Sequence, residues 1–329
     1  MLSKKRKVIV YSILMSILCF MVLISLGIGA VAIHPMTVLT NLLGFNKDQS
    51  FIIFEYRLPR VFLAVLSGAG FAVSGAILQG VVRNSLASPD VVGVTKGAGV
   101  GAMLIILLVP TAPVFLLPIA AFIGAGLAAA SLLFFTIKYR MQPASLAMTG
   151  IAIGALCQAV MQYMMVKFPG DVNAALIWLA GSLFGRGYDQ LYVLVLCFMV
   201  LFPIVWMLKD KLDVLLLHDQ LVKGLGESPK GTRILWIVIA VLIAGSCVAA
   251  VGSIGFIGLI GPHIARRITS SKAKELLPLS AIVGAILLLS ADTLGRTIIA
   301  PVEIPAGILT AVLGAPYFLY LLRHESRTR

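Results

Sequence analysis

The sequence of 329 residues is 60% hydrophobic and only 12% charged, whereas soluble domains carry roughly 25% charged residues. This composition excludes a soluble enzyme, a disordered chain and a disulfide scaffold. It also argues against an outer-membrane barrel, because barrel strands alternate apolar and polar residues. The net charge of +13 resembles that of a nucleic-acid-binding protein, so its meaning depends on where the charges lie.

Continuous apolar runs predict an all-α polytopic membrane protein with about ten transmembrane helices. The predicted spans are residues 8–33, 61–82, 93–109, 114–137, 143–166, 190–208, 234–251, 254–268, 276–295 and 305–322. The apolar piece 174–183 is too short to cross. The run 254–268 is short and glycine-rich, so it either crosses the bilayer or is broken or re-entrant. The spans make one domain over residues 1–329, with a long polar loop at 209–233.

The charges test this topology. If the N-terminus is inside, the inside segments hold 20 of the 26 lysines and arginines and seven acidic residues. The outside segments then hold six basic and six acidic residues. The positive-inside rule therefore predicts a cell-membrane protein with both termini cytoplasmic. The whole charge excess becomes a topology signal and gives no evidence for a nucleic-acid partner.

Catalytic and metal-binding motifs are missing from the sequence. It has no phosphate-binding loop, no metalloprotease motif and no nucleophile elbow, and its four cysteines lack metal-ligand spacing. We therefore predict that the chain is not an enzyme and holds no metal or cofactor. The spans also carry almost no ionisable residues in their middle, unlike ion-coupled carriers. This favours a pore-forming subunit driven by a separate ATPase, with an ion-coupled secondary transporter as the alternative.

Several strings, in order, resemble the FecCD permeases, the transmembrane subunits of ABC importers for iron-siderophores, haem and cobalamin. The resemblance runs from about residue 50 to residue 322. It begins with Arg57-Leu58-Pro59-Arg60, and Ser85 and Ser253 stand where the family commonly has proline. The motif residues of its central blocks are Asn84, Pro89, Gly255, Phe256, Gly258, Pro262, His263 and Arg266.

This resemblance implies an ABC importer permease of the large (type II) class. Its partners would be a second permease subunit, identical or related, two cytoplasmic ATPases that bind ATP and magnesium, and an extracytoplasmic solute-binding protein. The implied cargo is a ferric siderophore, with cobalamin or haem as the alternatives. The chain itself would hydrolyse nothing.

The resemblance also assigns docking of the binding protein to three outer arginines, Arg57, Arg60 and Arg296. Arginine suits this role because it forms bidentate pairs with carboxylates and steers encounter. The same side chains also fit local contacts. Arg57 and Arg60 can reach lipid headgroups, Arg57 can pair with Glu55, and Arg296 can pair with Asp292 four residues earlier.

Coupling to the ATPase is assigned to the polar loop. Its apolar residues recur at helical spacing, which fits partner docking and packing on headgroups equally well. The resemblance places the family's coupling motif here, although His218, Asp219 and Val222 replace its usual residues. The coupling residues it implies are Leu217, Asp219, Leu221, Leu225 and Gly226.

The substrate path is assigned by resemblance to a central channel between two permease subunits, lined by the fifth and tenth spans. The candidates on the fifth span are Met148, Ala152, Ala155, Gln158 and Gln162. The two glutamines are four residues apart and share a helix face. They equally fit hydrogen bonds between helices. We interpret His263 as a residue of the fold and not as a ligand.

Overall fold

The protein is described by a computed structural model that covers residues 4–29, 31–45, 48–109, 111–113, 115–139, 143–217, 219–224 and 226–325. Over these residues it is helical and contains no strand. The helices are α1 (Lys4–Gly27), α2 (Pro35–Leu42), α3 (Leu58–Val82), α4 (Val94–Leu108), α5 (Leu116–Lys138), α6 (Pro143–Lys167), α7 (Val172–Leu179), α8 (Tyr188–Val214), α9 (Asp219–Gly224), α10 (Pro229–Val251), α11 (Ile257–Ile268), α12 (Ala273–Gly295) and α13 (Ala306–Glu325).

Each of the ten predicted spans coincides with one of these helices. In the described part of the chain, seven helices are long and apolar enough to cross a membrane, counting α3 together with the π-helical turn Ile52–Arg57 before it. α4 and α13 add shorter apolar stretches. The all-α, multi-pass prediction is confirmed, because a chain this apolar satisfies its backbone hydrogen bonds in lipid by forming helices.

The eighth predicted span, 254–268, is only partly helical. α11 has twelve residues, which rise about 18 Å against a hydrocarbon core of about 30 Å. Residues 252–256 before it are not helical, and both Gly252 (φ 80°) and Phe256 (φ 67°) adopt positive φ. The segment is therefore a short helix with an unwound lead-in, which corresponds to the broken alternative.

The polar loop at 209–233 is shorter in the structure than the sequence predicts. α8 continues through the charged residues to Val214, and α10 already begins at Pro229. Ser228 caps α10 by accepting a hydrogen bond from the Gly231 amide at 3.3 Å, and proline is a favoured first helical residue. Helix α2 lies in a stretch between the first two predicted spans, where the sequence pattern predicts no helix.

α3 is the centre of the bundle and is buried along most of its length. It packs against α12, α10 and α11, while α4 packs along α5. Glycine makes these contacts close: a Cβ on Gly75 would overlap the carbonyl of Gly258 in α11, and one on Gly68 would overlap that of Gly284 in α12. Small residues at such crossings let helix backbones approach in lipid.

The bundle has two ends, defined by α1. At the proximal end, where α1 begins, Lys7 forms an ion pair with Glu275 near the start of α12. At the distal end, where α1 finishes, Ser25 accepts a hydrogen bond from Arg296, just beyond α12. α1 and α12 therefore run in the same direction, and these two ends hold the candidate functional residues.

Candidate functional site

The distal end holds a network of three arginines and two carboxylates, the distal network: Arg57, Arg60, Asp292, Arg296 and Glu303. Arg60, in the first turn of α3, donates to Asp292 from Nη2 at 2.8 Å and from Nε at 3.1 Å. Its Nη2 also lies 2.8 Å from Oε2 of Glu303. The Arg60 side chain is 12% exposed and that of Asp292 only 2%. Arg60 thus ties α3 to α12 and to the loop before α13.

Arg57 and Arg296 are buried, at 6% and 5% exposure. Arg57 donates to the carbonyls of Leu26, at 2.7 Å, and Val31. Arg296 donates to the carbonyl of Ile28 at 3.1 Å and lies 3.2 Å from the Asp292 carboxylate. The last carbonyls of a helix have no partner within it and carry negative partial charge, so the Arg57 guanidinium satisfies one of them at Leu26. The Ile28 and Val31 carbonyls lie in the chain just beyond α1.

These contacts bear on the docking hypothesis. All three predicted arginines converge at one end of the bundle, yet each already has partners inside the chain. The alternative pairing of Arg296 with Asp292 is present, whereas Arg57 donates to backbone carbonyls. Docking by these arginines stays a prediction, and within this chain their contacts fasten α1, α3 and α12 together.

The proximal end holds a second network, the proximal clamp, formed by Arg83, Asp219 and Arg233. Arg233 in the first turns of α10 donates to both oxygens of Asp219, with Nη2–Oδ1 at 2.6 Å and Nη1–Oδ2 at 3.1 Å. Arg83 donates to the same carboxylate at 2.9 Å. Arg83 is the residue that ends α3, in a left-handed conformation with φ 53°. Asp219, the first residue of α9, is therefore held by two transmembrane helices.

Asp219 is ionised over the physiological range. The hydrogen bonds from Arg233 are the main cause that holds the pKa of this carboxyl below its ordinary value of 3.8, and Arg83 adds to the effect. The network is therefore two cations sharing one anion, with a net positive charge. The sequence prediction assigns Asp219 to the coupling loop but does not identify its two arginines.

The other predicted coupling residues lie around α9. Leu217 and Leu221 are exposed at 41% and 59%. Val222 is fully buried and anchors the short helix, and Gly226 adopts φ 80°, a conformation that glycine tolerates. Leu225 lies outside the described residues. The exposed leucines are available to a partner, and their coupling role stays a prediction.

The five predicted path residues, Met148, Ala152, Ala155, Gln158 and Gln162, all lie exposed on one side of α6. The opposite side of α6 packs against α4 and α5. Met148 is 73% exposed. The face is thus unpartnered within the described part of this chain, as a surface lining a shared channel must be, and its role in translocation stays a prediction.

The family-motif residues meet where α11 crosses α3. Pro89 packs beside Gly258, Arg266 donates to the side-chain oxygen of Gln79 on α3, and the ring of Phe256 fills the space at Gly314 of α13. Asn84 accepts from the Leu86 amide at 2.9 Å, and Pro262 is buried within α11.

His263 accepts a hydrogen bond from Arg267 at 3.1 Å and packs edge-on against Tyr317. The family-motif residues therefore hold α11 and its unwound lead-in against α3 and α13.

A cavity of about 380 Å³ opens beside this crossing. It is lined by residues of the turn after α3, of α6, of α11 and of α13, among them Asn84, Ile151, Phe256 and Phe318. Apart from Asp90 its lining is apolar or uncharged. Across the described residues, no group of three His, Cys, Asp or Glu side chains could hold a metal ion.

The FecCD transport family model matches residues 17–324. The chain belongs to the FecCD transport family. It is 60% identical, over 99% of its length and 98% of the relative's, to the Fe(3+)-citrate import system permease protein YfmE of Bacillus subtilis (strain 168). It is 41% identical to the Fe(3+) dicitrate transport system permease protein FecD of Escherichia coli (strain K12), over 91% of this chain and 93% of that one.

A solved structure agrees with this family assignment. An inward-facing conformation of a putative metal-chelate type ABC transporter matches with a TM-score of 0.83 and 30% identity, over 94% of this chain and 97% of that chain. The resemblance inferred from the motifs is confirmed. As a FecCD protein, the chain is a multi-pass membrane permease.

Proposed function

We propose that this FecCD protein is the permease subunit of an ATP-driven importer for ferric chelates, of which ferric citrate is the first candidate. The carrying observation is the 60% identity to a Fe(3+)-citrate import permease over 99% of the chain. An importer permease needs a bundle with an unpartnered face, and the described part of α6 presents one. Relatives are permeases for ferric citrate and siderophores. Cobalamin and haem are therefore the alternative cargoes.

The assembly we propose contains two permease subunits, two ATPases that bind ATP and magnesium, and a solute-binding protein. The proximal end of the bundle faces the cytoplasm, because the basic residues concentrate there. ATPases bind that end beside Leu217 and Leu221, and the binding protein docks at the distal end near Arg60. ATP is hydrolysed on the separate subunits. Substrate passes between the two permeases along Met148, Ala152, Ala155, Gln158 and Gln162.

Growth after gene deletion tests the substrate. The deleted strain should lose growth on ferric citrate as the iron source and recover it when the gene is restored. Growth on ferrous iron and growth that depends on cobalamin serve as controls and should not change. Loss of cobalamin-dependent growth with normal use of ferric citrate would contradict the proposal.

The energy source is tested separately. Uptake of iron-labelled citrate complex should stop in cells depleted of ATP while they keep an ion gradient. Continued uptake under that condition would indicate a secondary carrier and would overturn the ABC importer assignment.

A further inference from the structure

We propose that Arg83 and Arg233 are positioning residues that, by holding Asp219 between them, make the short helix α9 move together with the proximal ends of α3 and α10. The inference rests on the proposed importer function. In this role Asp219 does not contact the ATPase but links α9 to α3 and α10 within the permease. The proximal clamp then transmits the motion of the ATPases to the membrane helices.

Among the described residues, α9 has few attachments to the bundle besides the proximal clamp. It is six residues long, well below the length at which an isolated helix is stable in water. Its buried anchor is Val222. The forked contact of Arg233 with both oxygens of Asp219 fixes orientation as well as distance. Without this carboxylate, α9 loses its charged attachment to both α3 and α10.

Arg83 also reaches the chain ahead of α9. Its guanidinium donates to the carbonyls of Leu215, at 3.0 Å, and Leu217. Arg83 therefore holds the chain at Leu215 and Leu217, just after α8, against the end of α3. A force on the exposed Leu217 and Leu221 has a short mechanical route to α3, the buried centre of the bundle.

A neighbouring contact extends the same arrangement. Asp213, near the end of α8, accepts a hydrogen bond from the Ala273 amide at 2.7 Å. This caps the first turn of α12, whose own cap residue Lys272 makes no side-chain capping bond. The segment from α8 to α10 is thus tied to the proximal ends of α3, α10 and α12, the helices that pack together at the centre.

The first test uses the complete importer, with both permeases, the ATPases and the binding protein, in proteoliposomes. Asp219→Asn and Arg233→Gln are each expected to lower ferric citrate uptake per ATP hydrolysed by about fivefold, with unchanged binding of the ATPase. The double variant should be no worse than Asp219→Asn alone, because Asp219→Asn already removes the contact with Arg233. Asp219→Glu, which keeps the charge, should recover most of the loss.

Glu227→Gln is the matched control. Glu227 pairs with Lys211 at 2.8 Å in the same segment, and glutamine keeps an oxygen that can accept from the Thr232 hydroxyl as Glu227 does at 3.3 Å. The uptake ratio should therefore stay at the parent value. Weaker ATPase binding in Asp219→Asn would mean that Asp219 contacts the ATPase and would overturn the inference. Additive losses in the double variant would mean that Asp219 and Arg233 act independently and would overturn it as well. An unchanged uptake ratio in Asp219→Asn would overturn it too.

A second measurement does not depend on the cargo. Spin labels are placed at Gln220→Cys on α9 and Lys230→Cys at the start of α10, both exposed positions, after the four native cysteines are replaced by alanine. In the permease–ATPase complex the mean distance between the labels should be the same with and without ATP. Asp219→Asn should broaden the distribution of distances. A distance that changes with ATP in the parent would overturn the clamp, whereas absence of ferric citrate uptake with a constant distance would count against the proposed cargo alone.

Discussion

The two ends of the bundle solve one problem, holding helices together with arginine and carboxylate, in opposite ways. In the distal network Arg60 and Asp292 are 12% and 2% exposed, whereas in the proximal clamp Arg233 and Asp219 are 13% and 46% exposed. Buried charges must be fully paired, since an unpaired one is costly. Exposed pairs contribute about 0–1 kcal/mol to stability. The distal network therefore acts as a fixed fastening, and the proximal clamp fixes geometry at little energetic gain.

The acceptors also differ between the ends. Distal arginines bind backbone carbonyls at and just beyond the end of α1 as well as carboxylates, so that end depends on the position of the α1 terminus. Proximal arginines converge on one side chain at the start of a short helix. This second arrangement tolerates movement of α9 only as a unit with its neighbours.

The largest effect is expected at the distal end. Among the described residues, Asp292→Ala leaves Arg60 with only Glu303 as a carboxylate partner, and it removes the carboxylate beside Arg296. Because a buried charge loses its partner, we expect the free energy of unfolding to fall by about 3–5 kcal/mol. Thermal unfolding in detergent measures this. Asp189→Ala, an exposed acid in the first turn of α8, should leave the unfolding temperature nearly unchanged, and equal losses would contradict the contrast.

The second effect concerns the close crossing of α3 and α11. Gly75→Ala would place a methyl group into the backbone of α11 at Gly258, and such overpacking costs about 1–3 kcal/mol. Gly126→Ala is the matched control, since nothing lies within 4 Å of its added Cβ. Folded protein recovered from membranes should fall for Gly75→Ala and stay at the parent level for Gly126→Ala. Equal recovery would show that the α3–α11 crossing is not close-packed.

A smaller effect sharpens the docking hypothesis. Glu303→Gln removes one of the two carboxylates that hold Arg60, so an incoming carboxylate on the binding protein meets less competition. We expect the binding protein to dock about two- to fivefold more tightly at low salt, measured by surface binding to the permease in nanodiscs. Asp189→Asn controls for net charge. The same gain in both variants would mean that Arg60 has no specific part in docking.

The smallest expected effect is at the proximal clamp. The pKa of Asp219 is lowered in the folded protein, mainly by hydrogen bonds from Arg233. A lowered pKa gives stability that is complete above the unfolded value of 3.8 and is lost as pH falls through the folded pKa. The stability difference between the parent and Asp219→Asn should therefore be constant from about pH 5 to 8 and decline below about pH 4. A change near neutral pH would place another titrating group in the clamp.

Several elements could be predicted from sequence because lipid leaves few choices. Continuous apolar runs predicted the helices, and the motif strings predicted the family. The ends of α8 and α10 were less predictable, because charged residues at Lys209 and Lys211 continue the helix beyond the apolar run. A prediction from hydrophobic pattern cannot see capping by distant groups, such as Asp213 at the start of α12.

The sites divide in the same way. The sequence identified Arg57, Arg60, Arg296 and Asp219 as functional candidates, partly because charges are rare in such a chain. Their partners were not predictable, apart from Asp292 beside Arg296. Glu303 is far from Arg60 in sequence, Arg233 is separated from Asp219 by a loop, and the carbonyls of α1 carry no residue-type signal at all.

The sequence by itself determined a membrane-embedded helical bundle, since long apolar runs in lipid must satisfy their backbone hydrogen bonds within helices. It also determined the family, through the order of its motifs. Only the tertiary structure decided how its few charges are used. Which end buries its carboxylate and which end leaves it exposed depends on contacts between residues up to 271 positions apart. Such contacts follow from the packing of helices through glycine crossings, and no local pattern encodes them.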